Sequence, residues 1–287
     1  MEQLELCPLC ESSQLDLMLE SQDYFLTHES FNIVTCSNCS LSFTNPRPNK
    51  SELNKYYHSD EYISHSNKAN NITNVIYKFI RNFTVHQKYK LLSNILEAKS
   101  QINHLDYGCG TGHFIKYTSK KGWKSIGFEP DNRADNRHNQ LITNDIASLK
   151  SFDIITLFHV LEHVDNFNET MNLLLSKLRP NGVLVLALPN HESYDAKHYK
   201  QHWAGYDLPR HLYHFNQKSI QILSLKHGIK IERTVPMIFD SYYVSILSEK
   251  YKRSIFPFIK GVFNGLISNI FSGKKMEYSS LIYILRK

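Results

Sequence analysis

The chain has 287 residues, of which 41% are apolar and 21% charged. That balance suits one α/β domain with an appendage, or two small domains, and excludes disorder over most of the length. Lys and Arg total 33 against 27 Asp and Glu, a net charge of +6 that 15 histidines raise in mild acid; such a surplus suits nucleotides, phosphosugars or membrane surfaces without choosing among them.

The opening MEQLELCPLC has no basic run ahead of an apolar one, and the most apolar region, Ile255–Phe271, is broken by Pro257, Lys260, Asn264 and Asn269. A cytoplasmic protein is therefore expected, in a compartment where disulfides are disfavoured. Four of the five cysteines form two pairs, Cys7-Pro-Leu-Cys10 and Cys36-Ser-Asn-Cys39. Two thiolates in one tight turn grip a tetrahedral metal, and a second such knuckle completes a four-thiolate site. Zinc in a structural role is the expectation, because four thiolates leave no open position for catalysis. A region this small also draws much of its folding energy from its metal. The pairs fit buried or redox thiols as well. Between them, Phe25–Val34 is expected to supply a hairpin strand.

Thr44-Asn45-Pro46-Arg47-Pro48 is a stiff, extended connector. Tyr56-Tyr57-His58 through Tyr62 suits a lid or a packed linker helix. Residues Asn70–Ala98 have helical periodicity, with Val85, Tyr89, Leu92 and Leu96 on one stripe, and should cover one face of a sheet.

Strand and helix patterns then alternate, as in a doubly wound parallel sheet. Strand one, Ile102–Asp106, leads into Tyr107-Gly108-Cys109-Gly110-Thr111-Gly112 and a helix His113–Lys121. The glycines permit positive φ and close approach to a ligand, and loop N–H groups with a helix N-terminus are expected to face it. Asp106 suits an ammonium partner. Strand two is Trp123–Phe128, and Glu129 after it suits both hydroxyls of a ribose. These features resemble the class I S-adenosylmethionine-dependent methyltransferases, whose first motif is D-x-G-x-G-x-G followed by an acid after strand two. The resemblance implies a Rossmann-like seven-stranded sheet with strand seven antiparallel. It also implies a cofactor site of Asp106, Gly108, Cys109, Gly110, Gly112 and Glu129. Asp145 would accept from the adenine amino group, the Ile146 N–H would bond the ring, and His159 would lie beside the methyl group. Cys109 is expected to pack under the cofactor.

Leu141–Asn144 is a short third strand, and Phe152–Phe158 a buried central one. His159-Val160-Leu161-Glu162-His163-Val164 is very like the fourth motif of the family's small-molecule branch. Asp165 is the expected N-cap of a helix that buries Phe167, Met171, Leu174 and Leu178. Pro180-Asn181-Gly182 turns the chain into strand five, Val183–Leu188. The long stretch Pro189–Asn216 is rich in aromatic and titratable residues and should be functional. Helix Gln217–His227 closes at Gly228, and strands six and seven are Ile229–Val235 and Ser279–Leu285. The expected domains are 1–48 (zinc module), 49–100 (linker and lid helices) and 101–287, with an insertion at 236–277. Within 236–275 six basic residues face two acids among several phenylalanines. A substrate cap, a homodimer contact and peripheral membrane contact are all open there.

For a hydroxyl or carbon acceptor a base is needed, and His211, His214 and His159 are the candidates. Arg210 is expected to fix a phosphate or carboxylate of the acceptor. The D/N-P-P-Y/F motif of many N-methylating relatives is absent after strand four, which argues against exocyclic amines and makes nucleic acid an unfavoured partner. The layout is similar to sugar C-methyltransferases acting on nucleotide-linked deoxysugars, so O- or C-methylation of a small molecule, such as a nucleotide-linked sugar or a glycan or lipid precursor, is the reading. An RNA methyltransferase using the zinc module, and a non-catalytic methyltransferase-like binding protein, are the alternatives.

Overall fold

A computed structural model describes residues 1–57, 72–96, 101–130, 139–273 and 275–287, with side chains described from Phe83 onward in the helix Ile72–Ile95. The lid expectation for 58–62 lies outside the described residues. β1 (Leu15–Gln22), β2 (Ser30–Cys36) and β3 (Ser42–Thr44) form an antiparallel sheet between and after the cysteine knuckles. The strand expected from Phe25 begins five residues later, because Asp23 accepts the N–H groups of Phe25, Leu26 and Thr27 and holds them in a turn.

After helix α1 (Ile72–Ile95), β4 (Asn103–Tyr107), α2 (His113–Lys120), β5 (Lys124–Phe128), β6 (Ile142–Thr143) and β7 (Phe152–Phe158) follow the predicted alternation. Next come α3 (Phe167–Lys177), β8 (Leu178–Pro189), α4 (Tyr194–Tyr199), β9 (Tyr213–His214), α5 (Gln217–Lys226), β10 (Lys230–Pro236), α6 (Asp240–Tyr251), α7 (Pro257–Ser272) and β11 (Ser280–Arg286). Seven strands form one mostly parallel sheet in the order β10-β11-β8-β7-β4-β5-β6, with β10 and β11 antiparallel. β7 is buried along nearly its whole length, as a continuous apolar run at a sheet centre must be. The register sets Asp106 beside Gly127 on one side and Thr156 on the other.

Local chemistry moved some boundaries. Asn166, not Asp165, caps α3, its Oδ1 accepting from the N–H groups of Asn168 and Glu169; both residue types cap well, and Asp165 instead pairs with Arg47 at 3.5 Å. Strand five starts at Leu178, ahead of the expected turn, with Asn181 at φ +59°. Asn216 caps α5 with a reciprocal Ser219 box, and Gly228 ends it at φ +63°.

The chain divides into two compact units that interleave the three predicted segments: Met1–His58 with His159–Leu173 and Val185–Arg286, and Ser59–Phe158 with Leu174–Leu184 and Lys287. Within the first, β9 joins β3 as a fourth strand, Phe43 opposite Tyr213 and Ser42 opposite His214. The cysteine module is thus built into the sheet that carries the aromatic stretch. In the second, Tyr89 of the predicted α1 stripe packs on Trp123 and Tyr117. Among the described residues no helix is long and apolar enough to cross a membrane.

Candidate active site

The glycine loop of the second unit has the backbone its residues require. Gly108, Gly110 and Gly112 sit at φ +74°, +53° and +76°. A Cβ on Gly110 would meet nothing within 4 Å, so this residue borders open space. On Gly112 a Cβ would lie 2.6 Å from Asn139 Nδ2 and 2.9 Å from Ile142 Cδ1. Gly122, at φ +92°, has no such neighbour. Gly112→Ala should therefore destabilise the protein by at least ~1 kcal/mol more than Gly122→Ala, read as urea midpoints at constant m. Equal losses would mean that the loop is not packed as described.

The loop N–H groups are used inside the protein instead of facing outward. Those of Gly108 and Cys109 donate to Phe128 O at 2.8 and 3.1 Å, that of Gly112 to Cys109 O, and that of Gly110 to Glu129 Oε2 at 2.8 Å. A tight turn has to satisfy its own donors, and here the end of β5 accepts them. Glu129 is thereby fixed beside Gly110. Cys109 packs on Gly127, where a Cβ would fall 2.3 Å from its sulfur, and burial pushes its thiol up. Asp145 is exposed and its Oδ1 accepts from the N–H groups of Ala147 and Ser148, with Ile146 half-buried between.

Asp106, next to last in β4, is buried. Burial raises its carboxyl to about 6, against the opposing bond from Thr156 Oγ1 at 2.6 Å. Behind it, His104 Nε2 lies 2.9 Å from Thr156 Oγ1 and its Nδ1 3.1 Å from Ser125 Oγ. Burial lowers His104 to about 3, so the ring is neutral. Since the Thr156 hydroxyl donates to Asp106, it accepts from His104, which assigns the Nε2–H tautomer.

The first unit holds a separate cluster around Glu162, a carboxylate only 1% exposed with neither oxygen hydrogen-bonded. His159 Nδ1 lies 3.5 Å and His211 Nε2 4.0 Å from its Oε1, and His163 completes the group. Burial works against the charged carboxylate, yet the imidazoles hold Glu162 below the ordinary range. His159 is also 3.1 Å from Asp240. Burial opposes its charge, but the Asp240 and Glu162 carboxylates raise it to about 9. Its backbone sits at φ +57°, uncommon outside glycine and frequent at functional positions.

His163 Nδ1 donates to Arg210 O at 3.0 Å, and burial lowers the ring to about 4. His211 Nδ1 donates to Gly205 O at 2.9 Å, leaving Nε2 toward Glu162. His214 is enclosed, its Nε2 3.3 Å from Thr44 Oγ1, and burial drives it well below the usual range. Arg210 is not free for an acceptor. Its guanidinium donates to Asp23, Asp207 and Tyr56 O at 2.7–3.1 Å, because a fully buried cation requires carboxylates around it.

The four paired cysteines converge. Cys7 and Cys39 sulfurs are 3.4 Å apart, Cys10 and Cys36 3.5 Å, and all four lie within 4.8 Å of one another. Thiolates about 2.3 Å from one tetrahedral ion sit roughly 3.8 Å apart, so the set fits such an ion.

A family model described as a methyltransferase domain matches residues 81–233. The chain belongs to this family. Its fold is mixed α/β, as the strand order shows. The ubiquinone biosynthesis O-methyltransferase of Rhodopseudomonas palustris is 26% identical over 117 residues, covering 36% of this chain and 46% of that protein. That of Rickettsia bellii is 24% identical over 159 residues, covering 50% and 63%. The chain spans about half to just under two thirds of these curated relatives. Among solved structures, coclaurine N-methyltransferase bound to N-methylheliamine and SAH aligns at TM-score 0.46 and 12% identity, over 71% of this chain and 72% of that one. The cyclopropane synthase MmaA2 from Mycobacterium tuberculosis aligns at 0.48 and 15%, over 70% and 83%.

Sequence reasoning missed Glu162, Asp240, His104 and Thr156 as site residues. Glu162 had a signal, since it stands between two histidines in His159–His163. Asp240 had none, because its meeting with His159 depends on a helix far along the chain.

Proposed function

We propose that this methyltransferase acts on an oxygen or carbon atom of a small acceptor, such as a nucleotide-linked sugar or a glycan or lipid precursor. The observation that carries the reading is the buried, unbonded Glu162 carboxylate ringed by three imidazoles. Burying a charge costs free energy that the imidazoles have to offset, and such groups concentrate where protons are moved. The curated relatives, named as O-methyltransferases, support an oxygen acceptor.

The residues present fit S-adenosylmethionine: open space at Gly110, a buried acid at Asp106 for its ammonium group, and Glu129 beside the loop for its ribose. When bound, its sulfonium supplies the methyl group for an in-line displacement. His211 is the base in this reading. Its Nδ1–H is held by Gly205 O, so Nε2 takes the acceptor proton and Glu162 stabilises the imidazolium formed. His159, protonated at neutral pH between Glu162 and Asp240, holds the Glu162 carboxylate in place. Cys7, Cys10, Cys36 and Cys39 would hold a structural zinc ion.

Methyl-labelled cofactor and a cell extract test the acceptor class. Label should enter the fraction that passes a small-pore filter and survive ribonuclease; label confined to RNA would contradict the reading. Asp106 adds a pH test. An ammonium partner needs the ionised carboxylate, which the free protein loses as pH falls through about 6. Cofactor affinity should therefore be full above that pH and weaken about tenfold per unit below it. Asp106→Asn should bind weakly with a flat profile, and a flat profile in the unaltered protein would remove Asp106 from the ammonium group.

A further inference from the structure

Helix α7 is built inside out. Its buried positions are Gly261, Gly265, Ser268 and Ser272, and its large apolar side chains point to solvent. Ile255, just before the helix, is 83% exposed, and Phe258, Phe263 and Phe271 are 60–70% exposed. The small side is closely packed. A Cβ on Gly261 would lie 2.5 Å from Ile246 Cα of α6, and one on Gly265 2.8 Å from Tyr242 Cα. Ser268 Oγ donates to the buried Asp195 carboxylate at 2.8 Å. In water, folding turns the large apolar side chains inward. A helix pair that meets through small residues and presents Phe and Ile outward matches an apolar surrounding medium.

Charge decides which apolar partner fits. From α6 to residue 276, Lys250, Lys252, Arg253, Lys260, Lys274 and Lys275 stand against two acids, Asp240 and Glu249, and Glu249 is buried. A second copy docked by the same face would set these cations against one another, since a two-fold contact is self-complementary. An anionic bilayer surface matches both the phenylalanines and the lysines. A recess of about 450 Å³ beside α7 is lined by Lys252, Lys260, Glu249, His198, Asn264 and Phe263, so two ammonium groups share one opening with a single carboxylate and an aromatic ring. α7 has 16 residues, about 24 Å of helix, short of the roughly 30 Å of a hydrocarbon core, so it lies along a surface and does not cross.

We infer that the α6–α7 pair docks this enzyme on anionic phospholipid, with the exposed face of α7 in the headgroup–acyl boundary and Lys252 and Lys260 on the phosphates. The inference does not depend on the acceptor. Co-sedimentation of the full, metal-loaded chain with vesicles of phosphatidylcholine, with and without phosphatidylglycerol, tests it. Binding should need phosphatidylglycerol and weaken as salt rises. Phe258→Ser with Phe263→Ser should reduce binding at least tenfold. Lys252→Gln with Lys260→Gln should reduce it roughly 30-fold, at about one cation's contribution each, and remove the lipid preference. Every altered position is exposed, so the thermal midpoint of each variant should match the parent's. No binding to either vesicle, equal binding to both, or a concentration-dependent dimer abolished by the serine pair without vesicle binding would each overturn it.

Discussion

Glu162→Gln is expected to lower kcat by ~10²–10⁴, the usual contribution of positioned acid–base chemistry, while the dissociation constant for S-adenosylmethionine stays within about threefold. The amide keeps the shape of the side chain and removes the charge. His211 then has no anion to stabilise its protonated form, and His159 keeps Asp240 alone. Stability at neutral pH should fall as well, because a carboxylate held below its ordinary range by neighbouring imidazoles favours the folded state while it is ionised. Single-turnover kinetics beside a thermal melt separate the two effects. Unaltered kcat with unaltered stability would place Glu162 outside the reaction.

Loss of the proposed zinc ion is expected to have a larger effect on the fold. Structural zinc in small modules carries an apparent ~10 kcal/mol or more of folding free energy. Here the module is not a detachable bead: β3 pairs with β9, Thr44 Oγ1 donates to His211 O at 2.8 Å, and the Leu212 N–H donates to Glu162 O at 2.8 Å. Disorder among the cysteines would therefore reach the backbone of both proposed chemical groups. A strong chelator, or Cys36→Ser, should lower the melting temperature by at least about 10 °C and reduce turnover to background. A stripped protein with the parent's melting curve and rate would show that the four thiols need no ion.

The residues that were legible in the sequence are those whose structure is decided by near neighbours. A run such as Phe152–Phe158 has to lie at a sheet centre, alternating glycines have to take positive φ, and paired cysteines have to converge. Asn216 and Gly228 mark the ends of their helix for equally local reasons. The late start of β2 follows from Asp23 close by in sequence, but the misplaced site residues depend mainly on distant partners. Arg210 looked like an acceptor clamp because nothing near it in sequence shows that Asp23 would reach it. The histidines of the aromatic stretch look alike until packing encloses His214 and leaves His211 against a carboxylate. The loop N–H groups looked free because their acceptor, Phe128 O, belongs to the next strand. Asp165 and Asn166 are both good caps, and the contact with Arg47 decided between them.

The cradle bordered by Gly110, Asp106 and Glu129 is what the whole account requires, and calorimetric titration of the metal-loaded chain with S-adenosylmethionine measures it directly. One site per chain is expected, lost when Gly110→Val fills the open space and weakened by Glu129→Ala by about 1–3 kcal/mol. No heat from the parent protein, or equal binding by the parent and the Gly110→Val variant, would contradict the account.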